Sequence, residues 1–253
     1  MTLGLHQMPP RLVRFQTAIP IKLSHKLPSN LHQNRTSTTI INITNPARSY
    51  HPSSPSSMRI PYVPNPPPAS TPEADKAVYE RVAARRAPRP LQPLDLALLH
   101  SPPVADGWNS FLGAVRTRTS LAADLRELAI CRVAVVNTAW YEWMHHAPLA
   151  REAGVAERAM EDFVKRTEPL VGPNPSQNGL LSDRQWAVLR YTDEMTRTVR
   201  VADETFDLLK SLFSEREVVE ITATIACYNC VSRFLVALDV GEKNSVGPDD
   251  SAH

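Results

Sequence analysis

Residues 1–72 contain no aspartate or glutamate, although Arg11, Arg14, Lys22, Lys26, Arg35, Arg48 and Arg59 lie among them. Glycine is scarce as well, with 8 residues against 23 prolines, and the prolines crowd into the first third. Three cysteines, Cys131, Cys227 and Cys230, are too few for a disulfide scaffold. Long apolar runs are missing too. Arg132 breaks the best candidate well short of the roughly 20 residues a membrane helix requires. A formal net charge of +2 supplies no general attraction for nucleic acid or for a membrane surface. HExxH, GxSxG, P-loop and GxGxxG motifs do not occur, so neither a metal nor a nucleotide cofactor is expected. The expectation is a soluble, cytoplasmic chain that works without a cofactor.

The segment before Met58 is rich in Ser, Thr, Asn and Pro, including SSPSS at 53–57. Such a composition buries too little apolar surface to offset its ordering entropy, so residues 1–57 are expected to form a disordered extension. An acid-poor, arginine-containing N-terminus also fits a mitochondrial transit peptide, but Pro9, Pro10 and Pro20 interrupt the basic helix that role needs. A folded domain is expected over 58–245, with a disordered tail at 246–253.

From Glu73 onward the apolar spacing is helical. Helices are predicted over 74–86, 94–100, 104–115, 121–136 with Ser120 as cap, from Thr138 onward, and over 156–166. A Pro/Gly/Asn-rich loop at 167–181 follows. Ser182–Gln185 and Ser214–Glu217 read as capping boxes opening helices to Arg197 and Leu238, with a short helix at 203–213 between them. No strand pair or hairpin turn is evident, so the fold class is all-α.

Chemistry concentrates at Tyr141, Glu142, Trp143, His145 and His146. On one helix Glu142 and His146 share a face, as do Tyr141 and His145. A carboxylate beside an imidazole fixes its tautomer and raises its basicity. Glu127 lies farther back, about 28 Å away along an unbroken helix, and can reach His146 only if the chain turns. Asn137-Thr138 is suited to that turn. It would put Glu142 in a first helical turn, where the dipole favours its ionised form. Pro148 is expected to kink the helix beyond the histidines. Read alone, the cluster fits an exposed ion pair of Glu142 with His145 or His146 beside a core Tyr141 and Trp143 better than a proton-transfer site, because structural ion pairs also gather titratable groups.

Arg126-Glu127-Leu128, Tyr141-Glu142-Trp143, His146, Ala150 and Ala153-Gly154-Val155 together resemble the pattern of the carboxymuconolactone decarboxylase family. That resemblance implies an all-helical alkylhydroperoxidase D-like domain, assembled as a trimer or hexamer and using no cofactor. It also implies a lyase that removes carbon dioxide from a small carboxylated lactone. His146 would be the proton donor or acceptor, assisted by Glu127 and Glu142, with Tyr141, Trp143 and His145 against the substrate. Members often begin at a segment like MRIPYVPNPPP, which starts here at Met58, so residues 1–57 also read as a start-site extension.

The related alkylhydroperoxidase D-like proteins use a C-x-x-C pair followed four residues later by His. Those positions are Ala139, Glu142 and His146 here, so both thiols are missing where that chemistry needs them. Cys227 and Cys230 fall instead inside an apolar helix, where buried, inert thiols are expected. Two alternatives accompany the acid–base reading: a thiol peroxidase using Cys227 and Cys230, and a non-catalytic helical oligomer.

Overall fold

The computed structural model of the chain describes residues 58–175 and 179–250. The expectations for 1–57 and 251–253 lie outside the described residues. Helices α1 (Glu73–Arg86), α2 (Pro93–Leu98) and α3 (Pro102–Thr117) lead into α4 (Ala123–Val136) and α5 (Trp140–Glu152). A short α6 (Glu157–Ala159) continues as a π-helical turn, Met160–Val164. Then come α7 (Asp183–Thr198), α8 (Asp203–Leu212) and α9 (Glu215–Leu238), closed by a 3-10 turn at Val240–Glu242. No strand occurs among the described residues.

Helix α4 is the axis, because it is buried on nearly every side and packs against α5, α7 and α9. Leu125, Ala129, Ile130 and Val133 enter one core. Leu128, Cys131, Ala134 and Val135 enter a second, with Trp143 and Trp186. Helix α9 buries Ile221, Ile225, Tyr228 and Leu235 along one stripe at helical spacing. It is also long and apolar enough to cross a membrane by length and composition, which the sequence reading had not credited to this segment. Here it packs against α4, α3 and α7.

Arg132, fully buried on α4, does not merely interrupt an apolar run. Its guanidinium meets Asp193 on α7 at 2.5 Å and takes the carbonyls of Val164, Arg166 and Glu168. Asp193 also accepts from Arg197 and from the Leu170 amide, so both ends of this buried pair are satisfied. The same carbonyls mark the end of the helical turn after α6. The expected helix over 156–166 is therefore a single α turn followed by a π turn.

Both predicted capping boxes form, at Ser182/Gln185 and Ser214/Glu217. Ser120 does not cap α4, since its amide and hydroxyl both bind Glu220 on α9, at 2.9 and 2.7 Å; Ala122 takes the cap position. Helix α5 begins at Trp140 rather than Thr138, which adopts φ 52° in the joint.

Both ends of the described chain are anchored. Met58 is 2% exposed, and the Arg59 amide donates to the Leu238 carbonyl. The expected disordered tail is ordered as far as residue 250: Trp143 Nε1 donates to the Pro248 carbonyl, and Lys165 pairs with Asp249 at 2.5 Å.

Candidate active site

Helix α4 ends at Val136, and Asn137 is held by Asn229 and Ser232 of α9. The chain then reverses through Thr138 and Ala139 into α5. This antiparallel return brings Glu127 and His146 together across 19 residues, with His146 Nδ1 2.6 Å from Glu127 Oε2. An ionised carboxylate only accepts, so Nδ1 carries the proton and Nε2 keeps its lone pair. Arg126 binds the other oxygen of Glu127 at 3.2 Å.

The carboxylate paired with the imidazole is therefore Glu127, not Glu142. Glu142 is 2% exposed, and neither of its oxygens has a hydrogen-bond partner among the described residues. Burial pushes its carboxyl well above the ordinary range. The expected ionised Glu142 gives way to a neutral acid, because desolvation outweighs the helix dipole.

Burial lowers the pKa of His146; its bond to Glu127 opposes this without reversing it, and the nearby charge of Arg116 adds to the lowering. For Glu127, burial opposes ionisation. The bonds and charges of His146 and Arg126 outweigh it and hold the carboxyl below its usual range. These displacements favour a neutral imidazole beside an ionised Glu127 and a protonated Glu142.

Glu142, His145, His146 and Tyr141 line one cavity of about 130 Å³, walled by Leu94, Leu112, Leu149, Val231 and Leu235. Tyr228 closes it edge-on to His146, ring centres 5.0 Å apart, and its buried hydroxyl also lacks a partner among the described residues. Tyr141 stacks on His145 at 4.4 Å, as their spacing implied, while His145 Nδ1 bonds the Tyr141 carbonyl. Gly241, at φ 73°, lies so close to Tyr141 that a Cβ there would collide with its ring. Trp143 is not in this cavity. It sits in the second core and borders a separate pocket with Lys165 and Asp249. Pro148 lies within α5, which continues to Glu152.

Cys227 is 1% exposed, and burial pushes its thiol up to about 12. Cys230 faces outward, so the expectation of two buried thiols holds for one of them. Among the described residues no group of three His, Cys, Asp or Glu could hold a metal ion.

Sequence reasoning missed Arg116 and Tyr228. Tyr228 was visible only as the large polar residue between two cysteines, and Arg116 only as one of an arginine pair with Arg118 at the end of α3.

Residues 102–174 match the model of the carboxymuconolactone decarboxylase family. No curated protein matches the chain in sequence. Among solved structures, an uncharacterized peroxidase-related protein from Ralstonia eutropha JMP134, an alkylhydroperoxidase AhpD core, is similar at TM-score 0.56 and 17% identity. That match covers 77% of this chain and 94% of that one. An uncharacterized peroxidase-related protein from Silicibacter sp. TM1040 is similar at TM-score 0.56 and 15% identity, over 76% of this chain and 98% of that one. The debrominase Bmp8 is similar at TM-score 0.53 and 16% identity, over 71% of this chain and 90% of that one. Residues 102–174, the stretch that holds Glu127, Glu142 and His146, thus match the carboxymuconolactone decarboxylase family model, and the chain has an alkylhydroperoxidase D-like helical fold.

Proposed function

We propose that the protein is an acid–base enzyme of the carboxymuconolactone decarboxylase type, acting on a small carboxylated lactone or a related carbonyl compound. The observation that carries this reading is the Glu127–His146 hydrogen bond, with His146 lining one small cavity together with a Glu142 whose carboxyl burial pushes well above the ordinary range. A base with a free lone pair and an acid that still holds its proton are the two halves of general acid–base catalysis.

On a carboxylated lactone, the substrate carboxylate leaves as carbon dioxide. The electron pair of the broken C–C bond runs into the conjugated lactone carbonyl, and Glu142 gives its proton to the resulting carbon nucleophile. The Glu142 carboxylate left behind is poorly solvated. It regains a proton from water through His146, whose transient positive charge Glu127 stabilises. The net demand is one solvent proton per carbon dioxide. On a substrate without a labile carboxylate, the same pair moves a proton from one carbon to another.

Glu142 and the Tyr228 hydroxyl are buried without partners among the described residues, which costs stability and favours a chemical role over a purely structural one. The thiol peroxidase reading is opposed by the raised Cys227 pKa, since the thiolate is the nucleophile. The test is a turnover screen of carboxylated lactones and enol acids, following carbon dioxide and proton uptake. Turnover that disappears in His146→Ala supports the proposal. Turnover unchanged in that variant overturns it.

A further inference from the structure

Outside the dyad lies a second, wider cleft of about 730 Å³. It shares Arg86, Arg89, Leu112, Arg116 and Leu149 with the inner cavity, so the two adjoin. Glu127 borders the outer space and its partner His146 the inner one, which puts the dyad at the boundary.

The outer lining is strongly basic. Arg85, Arg86, Arg89, Arg116, Arg118 and Arg126 face only two lining carboxylates, Glu127 and Glu152. The buried Asp95 behind them ties Arg86 at 2.7 Å and Arg85 at 3.4 Å. Even with Asp95 included, three positive charges remain in excess. Arg116 is half-buried and Arg89 exposed, and the side chain of neither has a hydrogen-bond or ion-pair partner among the described residues. Burial lowers the pKa of Arg85, and the neighbouring Arg86 and Arg116 lower it further, a crowding of like charge that a bound anion would relieve.

The volumes separate two tasks. Sites for drug-sized ligands span about 300–1,000 Å³. The inner cavity falls below that range and the outer cleft lies within it. A single small carboxylate would use Arg116 and leave Arg89 without a partner.

We propose that the substrate is bipartite: a small reactive head enters the cavity at His146, and a tail carrying at least two negative charges occupies the arginine cleft between α1, α3 and the α4–α5 pair. This rests on the acid–base reading for the head alone; the tail site stands on the cleft itself. Planar guanidinium groups bind carboxylate or phosphate oxygens in pairs, so either chemistry fits the tail.

The test is calorimetric titration of the full chain at low salt with citrate, inorganic pyrophosphate and acetate. Citrate or pyrophosphate should bind at least tenfold more tightly than acetate, and the tighter of the two assigns the tail as carboxylate or phosphate. Arg116→Gln and Arg89→Gln should each weaken the better polyanion about tenfold, Arg116→Lys should weaken it less, and Arg233→Gln on α9 should leave it unchanged. Arg89 is exposed, so that variant keeps the test decisive even if Arg116→Gln folds poorly. Equal affinity for acetate and the polyanions, or polyanion affinity unmoved in Arg89→Gln and Arg116→Lys, overturns the proposal. Polyanion binding should survive His146→Ala. Loss of turnover with binding intact therefore bears on the acid–base reading, and the reverse bears on the tail.

Discussion

His146 Nδ1 and Glu127 Oε2 lie 2.6 Å apart on antiparallel helices joined by a three-residue reversal, so the tautomer of the imidazole is set from outside its own helix. His146→Ala is expected to lower kcat/KM by about 10²–10⁴-fold, the usual contribution of a general acid–base group. Glu127→Gln is expected to be milder, because it keeps a hydrogen-bond acceptor but loses the charge that supports an imidazolium. His145→Ala is the control, since its Nδ1 is already engaged by the Tyr141 carbonyl. Steady-state kinetics on a substrate found by the screen checks the order, and a larger loss in His145→Ala than in His146→Ala would reverse the assignment.

The pH dependence follows from two opposite displacements. Where the reaction takes a proton from substrate carbon, His146 must be neutral to accept it, and its pKa is lowered, so kcat/KM should rise with pH through a value below the ordinary 6.5. Glu142 must be protonated, and its pKa is raised, so the rate should fall through a value well above the ordinary 4.5. The resulting bell should lose its alkaline limb in Glu142→Gln, whatever activity remains. A pH–rate profile of the two proteins decides this.

Glu142 also makes stability depend on pH. An acid whose folded pKa is raised binds its proton more tightly in the native state. Stability therefore falls as pH climbs from the unfolded value of about 4.5 towards the folded one. Glu142→Gln removes that penalty and should raise the melting temperature at pH 7–8 while leaving it nearly unchanged near pH 4. Calorimetric melts at both pH values check the prediction; a neutral-pH melting temperature below that of the native chain would contradict it.

Replacing Cys227 and Cys230 together by Ala should leave acid–base turnover largely intact, with a packing loss of about 1–3 kcal/mol from the buried Cys227. Denaturant titration measures that loss. Rapid, dithiol-reversible disulfide formation with peroxide in the native protein would favour the thiol reading instead.

Self-association is the fifth expectation. On α9, Val219 is 66% exposed, and Ala226, Cys230 and Ala237 follow on the same side with Arg233 among them. Burial of this face in a homo-oligomer should appear as a multiple of the chain mass in light scattering at micromolar concentration, and a monomer mass would refute it.

What was legible in the sequence was largely local. Capping boxes at Ser182 and Ser214, the apolar stripe of α9 and the reversal at Asn137-Thr138 all depend on residues a few positions apart. The Glu127–His146 pairing follows once that reversal is granted. The imidazole's partner was misread because i,i+4 spacing makes Glu142 available to His146 but does not encode how α4 crosses α5, which delivers Glu127 instead. Ordering of the tail at Pro248 and Asp249, and the gathering of arginines from α1, α3 and α4 into one wall, depend on contacts distant in sequence. Arg132 was legible as an interruption but not as the clamp between α4 and α7, because a buried cation discloses its partner only in three dimensions.

The burial of Met58 sets a condition on shortening the chain. A polypeptide cut immediately before this residue would carry its terminal ammonium at a position only 2% exposed, beside the end of α9. Bringing that charge out of water works against docking of the Met58 thioether. A cut made several residues upstream leaves an uncharged peptide bond at this place and moves the ammonium away from it.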